Sequence, residues 1–144
     1  FIKDGVVMYE EYGDGSRTTF NARGNGLATE IPLVVLIDEG SASASEITAG
    51  AIQDLKRGIL VGMKSFGKGT VQKWTPLDNE QGAVKITVAR WLTPKERQIS
   101  GVGLTPDIEV PLSEEDLKAE RDPQLEKAIE LLLNPESWET AALK

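Results

Sequence analysis

Two short stretches of this chain hold the residues whose types and spacing could do chemistry. Gly40-Ser41-Ala42-Ser43-Ala44-Ser45-Glu46 carries three serines among small residues, and Phe66-Gly67-Lys68-Gly69-Thr70-Val71-Gln72 carries one lysine between glycines. The chain has no His and no Cys, so its own residues cannot build a Ser-His-Asp or Cys-His site. A nucleophilic site drawn from it uses Ser as nucleophile and Lys as base. Lysine serves as a base only when neutral, which requires burial to disfavour the ammonium. Lys68 has suitable surroundings, with Phe66 nearby, a glycine on either side and two strands expected to flank the turn, whereas Lys56, Lys64 and Lys73 read as exposed charges. Ser43 stands at an expected helix entrance, where free N–H groups and the positive end of the dipole favour an alkoxide or oxyanion. The Ala44 N–H is then a candidate oxyanion donor, and the small Ala42 and Ala44 leave room for a substrate backbone.

The same residues support a purely structural reading. Ser43-x-x-Glu46 is a capping box, Lys68 is a solvated turn lysine, and Gln72 is a polar residue on an exposed strand face. Taken singly, each favours structure; taken as a set in a chain without His or Cys, the two readings stand even. A phosphate-binding reading of Gly62-x-x-x-x-Gly67-Lys68 fails at Gly69, where a magnesium-binding Ser or Thr is needed, and a strand instead of a helix is expected to follow.

The elements that must position these residues follow from the hydrophobic pattern. Ile2 to Tyr12 and Arg17 to Ala22 read as a hairpin about Gly13-Asp14-Gly15, and residues 23 to 30 as a loop. Leu33 to Ile37 is an unbroken apolar run, expected to be a strand covered on both faces. From Ala44 to Leu55 the period changes, with Ile47, Ala51 and Leu55 four apart and Ala44 and Ile52 beside them, and Lys56-Arg57-Gly58 is expected to close this helix. Ile59 to Val61 is the next strand, and strand, helix and strand make a βαβ-like unit with a parallel crossover. Thr70 to Trp74 and Ala83 to Leu92 read as strands joined by a polar loop over Asp78 to Gly82, the second with Val84, Ile86 and Val88 alternating toward one dry face. Asp107 to Val110 is expected as a short edge strand. Asp122 caps a helix that Pro123 begins, with Leu125, Ala128, Ile129, Leu132 and Leu133 on its apolar face, facing its own core or a second subunit.

Composition bounds the function classes. A length of 144 residues with 40% hydrophobic and 27% charged residues suits one globular domain. A net charge of −7 and a pI near 4.7 argue against nucleic acid as a partner. The absence of Cys excludes disulfides and thiolate metal sites, and that of His removes the commonest metal ligand; no cofactor or metal is expected. No apolar run approaches the roughly 18 residues of a membrane span, and the first residues lack a signal-peptide layout. The chain opens as though entering a strand, the expectation for a segment of something longer.

GSASASE (Gly40 to Glu46), AGAIQD (Ala49 to Asp54) and FGKGTVQ (Phe66 to Gln72) closely resemble the carboxyl-terminal processing proteases, the tail-specific serine peptidases of family S41, and ARWLTP (Ala89 to Pro94) and GLTPDIEV (Gly103 to Val110) resemble that family's later segments. The resemblance runs from Phe1 to about Leu133. It implies an α/β fold of the ClpP/crotonase type built of β-β-α units, here a partial core with a C-terminal helix. Residues 1–112 would form the second half of the peptidase core and 113–144 a C-terminal helical extension. By motif it implies Ser43 as nucleophile, Lys68 as general base, Gln72 orienting the lysine, and Asp54 in a supporting role. The implied activity is that of a serine endopeptidase cleaving protein or peptide substrates with apolar C-termini through an acyl-enzyme, outside the cytoplasm. Members carry a PDZ domain and an NNPGG-type segment upstream of the position of Phe1, the latter supplying another oxyanion donor. The isolated chain is therefore expected to be poorly active or to act as a scaffold or interaction module, with any membrane contact made through that upstream region. Met63 departs from the family, which commonly has a charged residue there, often Glu.

Overall fold

The computed structural model describes residues 1–78 and 81–134. Of the polar loop expected over Asp78 to Gly82, Asn79 and Glu80 lie outside the described residues, as do 135–144 of the C-terminal extension. Ten elements follow in order: β1 (Val6–Tyr12), β2 (Arg17–Asn21), β3 (Val34–Ile37), α1 (Ala44–Asp54), β4 (Ile59–Gly62), β5 (Thr70–Pro76), β6 (Ala83–Leu92), β7 (Ile108–Glu109), α2 (Glu114–Lys118) and α3 (Pro123–Leu133). They form two sheets, an antiparallel one of order β2-β1-β6-β5 and a parallel one of order β3-β4-β7. The expected crossover is parallel, with Val34 to Ile37 paired to Ile59 to Gly62.

Helix α1 packs against β1 of one sheet and β4 of the other, and α3 packs against β3 and β4. Strand alternation explains the layers. Ile37 and Leu60 join Ala49, Ile52, Trp91, Ile99 and Leu104 in the larger core, with Leu33 and Val35 against it. The intervening Ile59 and Val61 turn to the other face and meet Leu131, with Val34 beside them. Two sheets on one helix bury Glu46, Ala49, Gly50, Ala51, Ile52 and Asp54, a wider band than the expected stripe. The cap of α1 also differs from expectation: the left-handed residue is Lys56 at φ 53°, with Lys56 N donating to Gln53 O and Arg57 N to Ile52 O, a Schellman turn without glycine. Gly58 is small for another reason, since a Cβ there would lie 2.6 Å from Leu33 O.

Three burial expectations are corrected. β3 lies at a sheet edge and Leu36 is 41% exposed, so the strand covered throughout is the central β4. β6 is exposed on both faces from Ala83 to Val88, because β5 and β6 extend as a ribbon past the core and only Ala89, Trp91 and Leu92 reach it. α3 has the bounds and Asp122 cap expected, Asp122 Oδ1 accepting from Leu125 N at 2.9 Å. It buries Gln124, Ala128 and Leu131, however, and leaves Leu125, Ile129, Leu132 and Leu133 exposed. The Gln124 amide donates to Val110 O at 2.9 Å, which sets the helix's rotation toward that side. The short edge strand appears as β7, parallel to β4. Among the described residues, no helix is long and apolar enough to cross a membrane.

Candidate active site

The serine turn joins β3 to α1. Asp38 organises its first half: its Oδ1 accepts from Gly40 N at 3.1 Å and Ser41 Oγ at 2.9 Å, while Ser41 Oγ accepts from Asp38 N at 3.1 Å. The chain then reaches Ser43 at φ 56°, ψ −115°, a backbone state that costs a non-glycine residue of order 1–3 kcal/mol. This strained residue stands at the helix entrance, half-buried, at the positive end of α1. The Ala44 N–H, first of the helix's orphan donors, makes no hydrogen bond within the described residues, and Ala44 itself is exposed.

The lysine turn, residues 63–69, follows β4. Met63 N donates to Ile37 O at 2.8 Å and Phe66 N to Ser41 O at 3.0 Å, which lays this turn against the serine turn. Gly67 O accepts from Gly101 N at 2.9 Å. The buried Trp91 donates its indole N–H to Lys68 O at 3.0 Å and its backbone N–H to Gly69 O at 3.1 Å. Glycine is needed twice for close approach: a Cβ at Gly67, which has φ 88°, would lie 2.8 Å from Gly103 N, and one at Gly69 2.7 Å from Ser100 N.

Glu46 joins the turns. Its side chain is fully buried, and its carboxylate accepts four hydrogen bonds. Oε2 takes the backbone N–H of Ser43 at 2.9 Å and of Lys68 at 2.8 Å; Oε1 takes Ser65 Oγ at 2.5 Å and Gly67 N at 2.6 Å. Sharing one acceptor oxygen holds the backbone nitrogens of Ser43 and Lys68 less than about 6 Å apart. Ser65 Oγ in turn accepts from Leu104 N at 2.7 Å, tying in the segment before β7. The sequence presents Glu46 as the acidic member of a capping box, and its contact with Ser43 N is that motif's return half. Its other three bonds reach 19 to 22 residues along the chain, and no local pattern signals them. Ser65 and Trp91 were likewise not legible as site residues.

The remaining expected residues are placed as follows. Lys68 is exposed, against the expectation of burial, and in this it resembles Lys56, Lys64 and Lys73. Its neighbours in the turn, Gly67 and Gly69, carry no side chains to cover it. Among the described residues no hydrogen bond links Lys68 Nζ to Ser43 Oγ or to Gln72. Gln72 is exposed on β5, opposite Thr87 and just past a bulge at Val71. Asp54 is buried at the far end of α1, where it accepts from Lys95 N at 2.8 Å and pairs with Arg97 at 2.6 Å, a clamp on the turn after β6. Among the described residues no cluster of His, Cys, Asp or Glu could hold a metal ion.

Comparison with known proteins bears on this arrangement. The profile of Peptidase family S41 matches residues 1–110. The chain belongs to peptidase family S41. A carboxyl-terminal-processing protease of Synechocystis sp. is 40% identical over 135 residues, covering 92% of this chain and 31% of that protein. A carboxy-terminal-processing protease of Bartonella bacilliformis is 52% identical over 97 residues, covering 66% of this chain and 22% of that protein. The S41 chain thus spans about a fifth to a third of these relatives. The solved photosystem II D1 C-terminal processing protease superposes with a TM-score of 0.73 at 38% identity, over 77% of this chain and 28% of that one. The S41 assignment carries with it the mixed α/β core of the ClpP-like type that the two sheets and α1 display.

Proposed function

We propose that this S41 chain supplies the nucleophile and base of a Ser-Lys endopeptidase that processes protein substrates near their C-termini. The observation that carries the reading is Glu46 Oε2, whose two hydrogen bonds hold Ser43 and Lys68 beside one another on separate turns. In this mechanism Ser43 Oγ attacks the peptide carbonyl carbon as its proton passes to neutral Lys68 Nζ. The tetrahedral oxyanion lies at the free Ala44 N–H and the positive end of α1. The C–N bond then breaks, Lys68 returns the proton to the leaving amine, and water, giving its proton to Lys68, releases the acyl group from Ser43. Gln72 orients the lysine. Lys68 is exposed in this chain, so its service as base requires a cover from substrate or from further sequence. Substrates are proteins or peptides with apolar C-termini, met outside the cytoplasm, and the acidic surface argues against nucleic acid.

A second reading has its own observation. Lys68 is exposed and not bonded to Ser43 Oγ, which favours a scaffold or interaction module when the chain stands alone, with the open α3 face available for a homodimer. Cleavage of an unstructured protein with an apolar C-terminus, by this chain and by an N-terminally extended protein, separates the two. Under the peptidase reading the extended protein cuts, and Ser43→Ala or Lys68→Ala lowers its rate by several orders of magnitude. Cleavage that survives Ser43→Ala refutes the assignment of the nucleophile. No cleavage by either native form leaves the scaffold reading.

A further inference from the structure

Resting on the peptidase reading above, the geometry points to a specificity surface made by Phe66 and Val102: a platform for a large apolar side chain of the peptide substrate, within about two residues of the scissile bond. Phe66 sits inside the lysine turn with its backbone held on every side. Ser65 Oγ before it and Gly67 N after it both donate to Glu46, and its own N–H donates to Ser41 O. Its ring is nonetheless 65% exposed and contributes to neither core cluster. Val102, 57% exposed, caps the tight turn from Ile99 to Gly103, where Val102 N and Gly103 N both donate to Ile99 O. The backbones of the two turns meet closely: Gly101 N donates to Gly67 O at 2.9 Å, and a Cβ on Gly67 would lie 3.1 Å from Val102 N.

A single exposed apolar residue is ordinary on any surface. Here two of them flank one backbone contact beside the proposed nucleophile and base, on segments that cannot fold inward to bury them. A ring already fixed on a rigid backbone loses little freedom when it is covered, so the surface favours binding over collapse. The occupant follows from the chemistry of the site. Ser41, which anchors Phe66, is two residues from Ser43, a span of at most about 7 Å. An extended peptide advances about 3.3 Å per residue, so a substrate with its carbonyl at Ser43 brings a side chain over Phe66 within about two positions.

The test is a series of peptides in which Ala, Leu, Phe or Asp is stepped through the two positions on either side of the cleaved bond. kcat/KM is read with native protein, and Kd for the same peptides by fluorescence anisotropy with the Ser43→Ala form, which needs no turnover. The expected result is a preference for Leu or Phe over Ala of about tenfold or more at one position. Phe66→Ala and Val102→Ser remove that preference, Phe66→Leu retains most of it, and preferences at the other positions stay as they were. Leu27→Ala is the control: Leu27 is exposed in the loop that Arg57 holds through Ala28 O, at the opposite end of α1, and its loss leaves the preference intact. No apolar preference in either readout, or a preference that survives in folded Phe66→Ala, overturns the inference. Ser43-dependent cleavage without apolar preference refutes the platform and leaves the peptidase reading standing. Phe66-dependent binding with cleavage that does not need Ser43 does the reverse.

Discussion

Glu46→Gln isolates the carboxylate that holds the site, since the side chains have the same shape and no cavity opens. One oxygen that accepts two hydrogen bonds becomes an NH2 that accepts none. If the amide nitrogen takes the place of Oε2, it faces the N–H groups of both Ser43 and Lys68, two donors left without acceptors. If it takes the place of Oε1, it faces Gly67 N and the Ser65 hydroxyl, and the hydroxyl can rotate to accept from it, so this arrangement costs less. It still orphans one buried N–H, worth about 1–3 kcal/mol. It also turns the two bonds at the remaining oxygen from charge-assisted to neutral, at about 1 kcal/mol each. The sum is about 3–5 kcal/mol, and for a chain of this size the unfolding midpoint falls by roughly 10–17 °C. Far-UV circular dichroism melts give the midpoint, and hydrogen exchange at Gly67 and Lys68 reports whether the lysine turn has opened. A shift under about 2 °C with both amides still protected would refute the reasoning that Glu46 holds the turns together.

Three further outcomes follow from the geometry. Ser43→Gly removes the Cβ from a strained backbone and is expected to raise stability by about 1 kcal/mol while abolishing any Ser43-dependent cleavage; a lower melting point than native would contradict the strain. Gly103→Ala puts a Cβ 2.2 Å from Ser65 O at φ 76°, whereas Gly101→Ala at φ 71° meets nothing within 4 Å. The first is expected to cost more than about 3 kcal/mol and the second only about 1 kcal/mol, so equal midpoints would count against the close packing of the two turns. Ser113 and Arg121 hold the Asp116 carboxyl down from 3.8 to about 2, and a depressed carboxylate contributes stability that is complete above its unfolded pKa. That contribution is lost as pH falls from about 4 through about 2. A carbon-13 titration of Asp116 gives the midpoint directly; Arg121→Ala should move it upward, and a native midpoint near 3.8 would contradict the bonding at α2.

Much of the element order was legible because it rests on local physics. The bounds of β6 and α3, the parallel crossover and the Asp122 cap follow from hydrophobic period, turn residues and capping chemistry, all of which act over a few residues. Which apolar faces are covered was less legible: Val84, Ile86 and Val88 alternate as a half-buried strand should, yet β5 and β6 run past the core. Likewise α3 turns Ala128 and Leu131 inward and most of its leucine-rich face outward. A helix or strand pattern states what could be buried, and packing against other elements decides what is.

The candidate site divides in the same way. By itself the sequence determined the cast: no imidazole, no thiol, serines at a helix entrance and a lysine between glycines, because residue identity limits which group can act as nucleophile or base. Only the tertiary structure decided that Glu46 serves both turns, that Lys68 is exposed in this chain, and that Phe66 and Val102 stand exposed on adjoining turns. A carboxylate collects donors from distant segments only where folding brings them within hydrogen-bonding reach, and burial depends on everything packed nearby. Neither quantity exists in a linear pattern of residues.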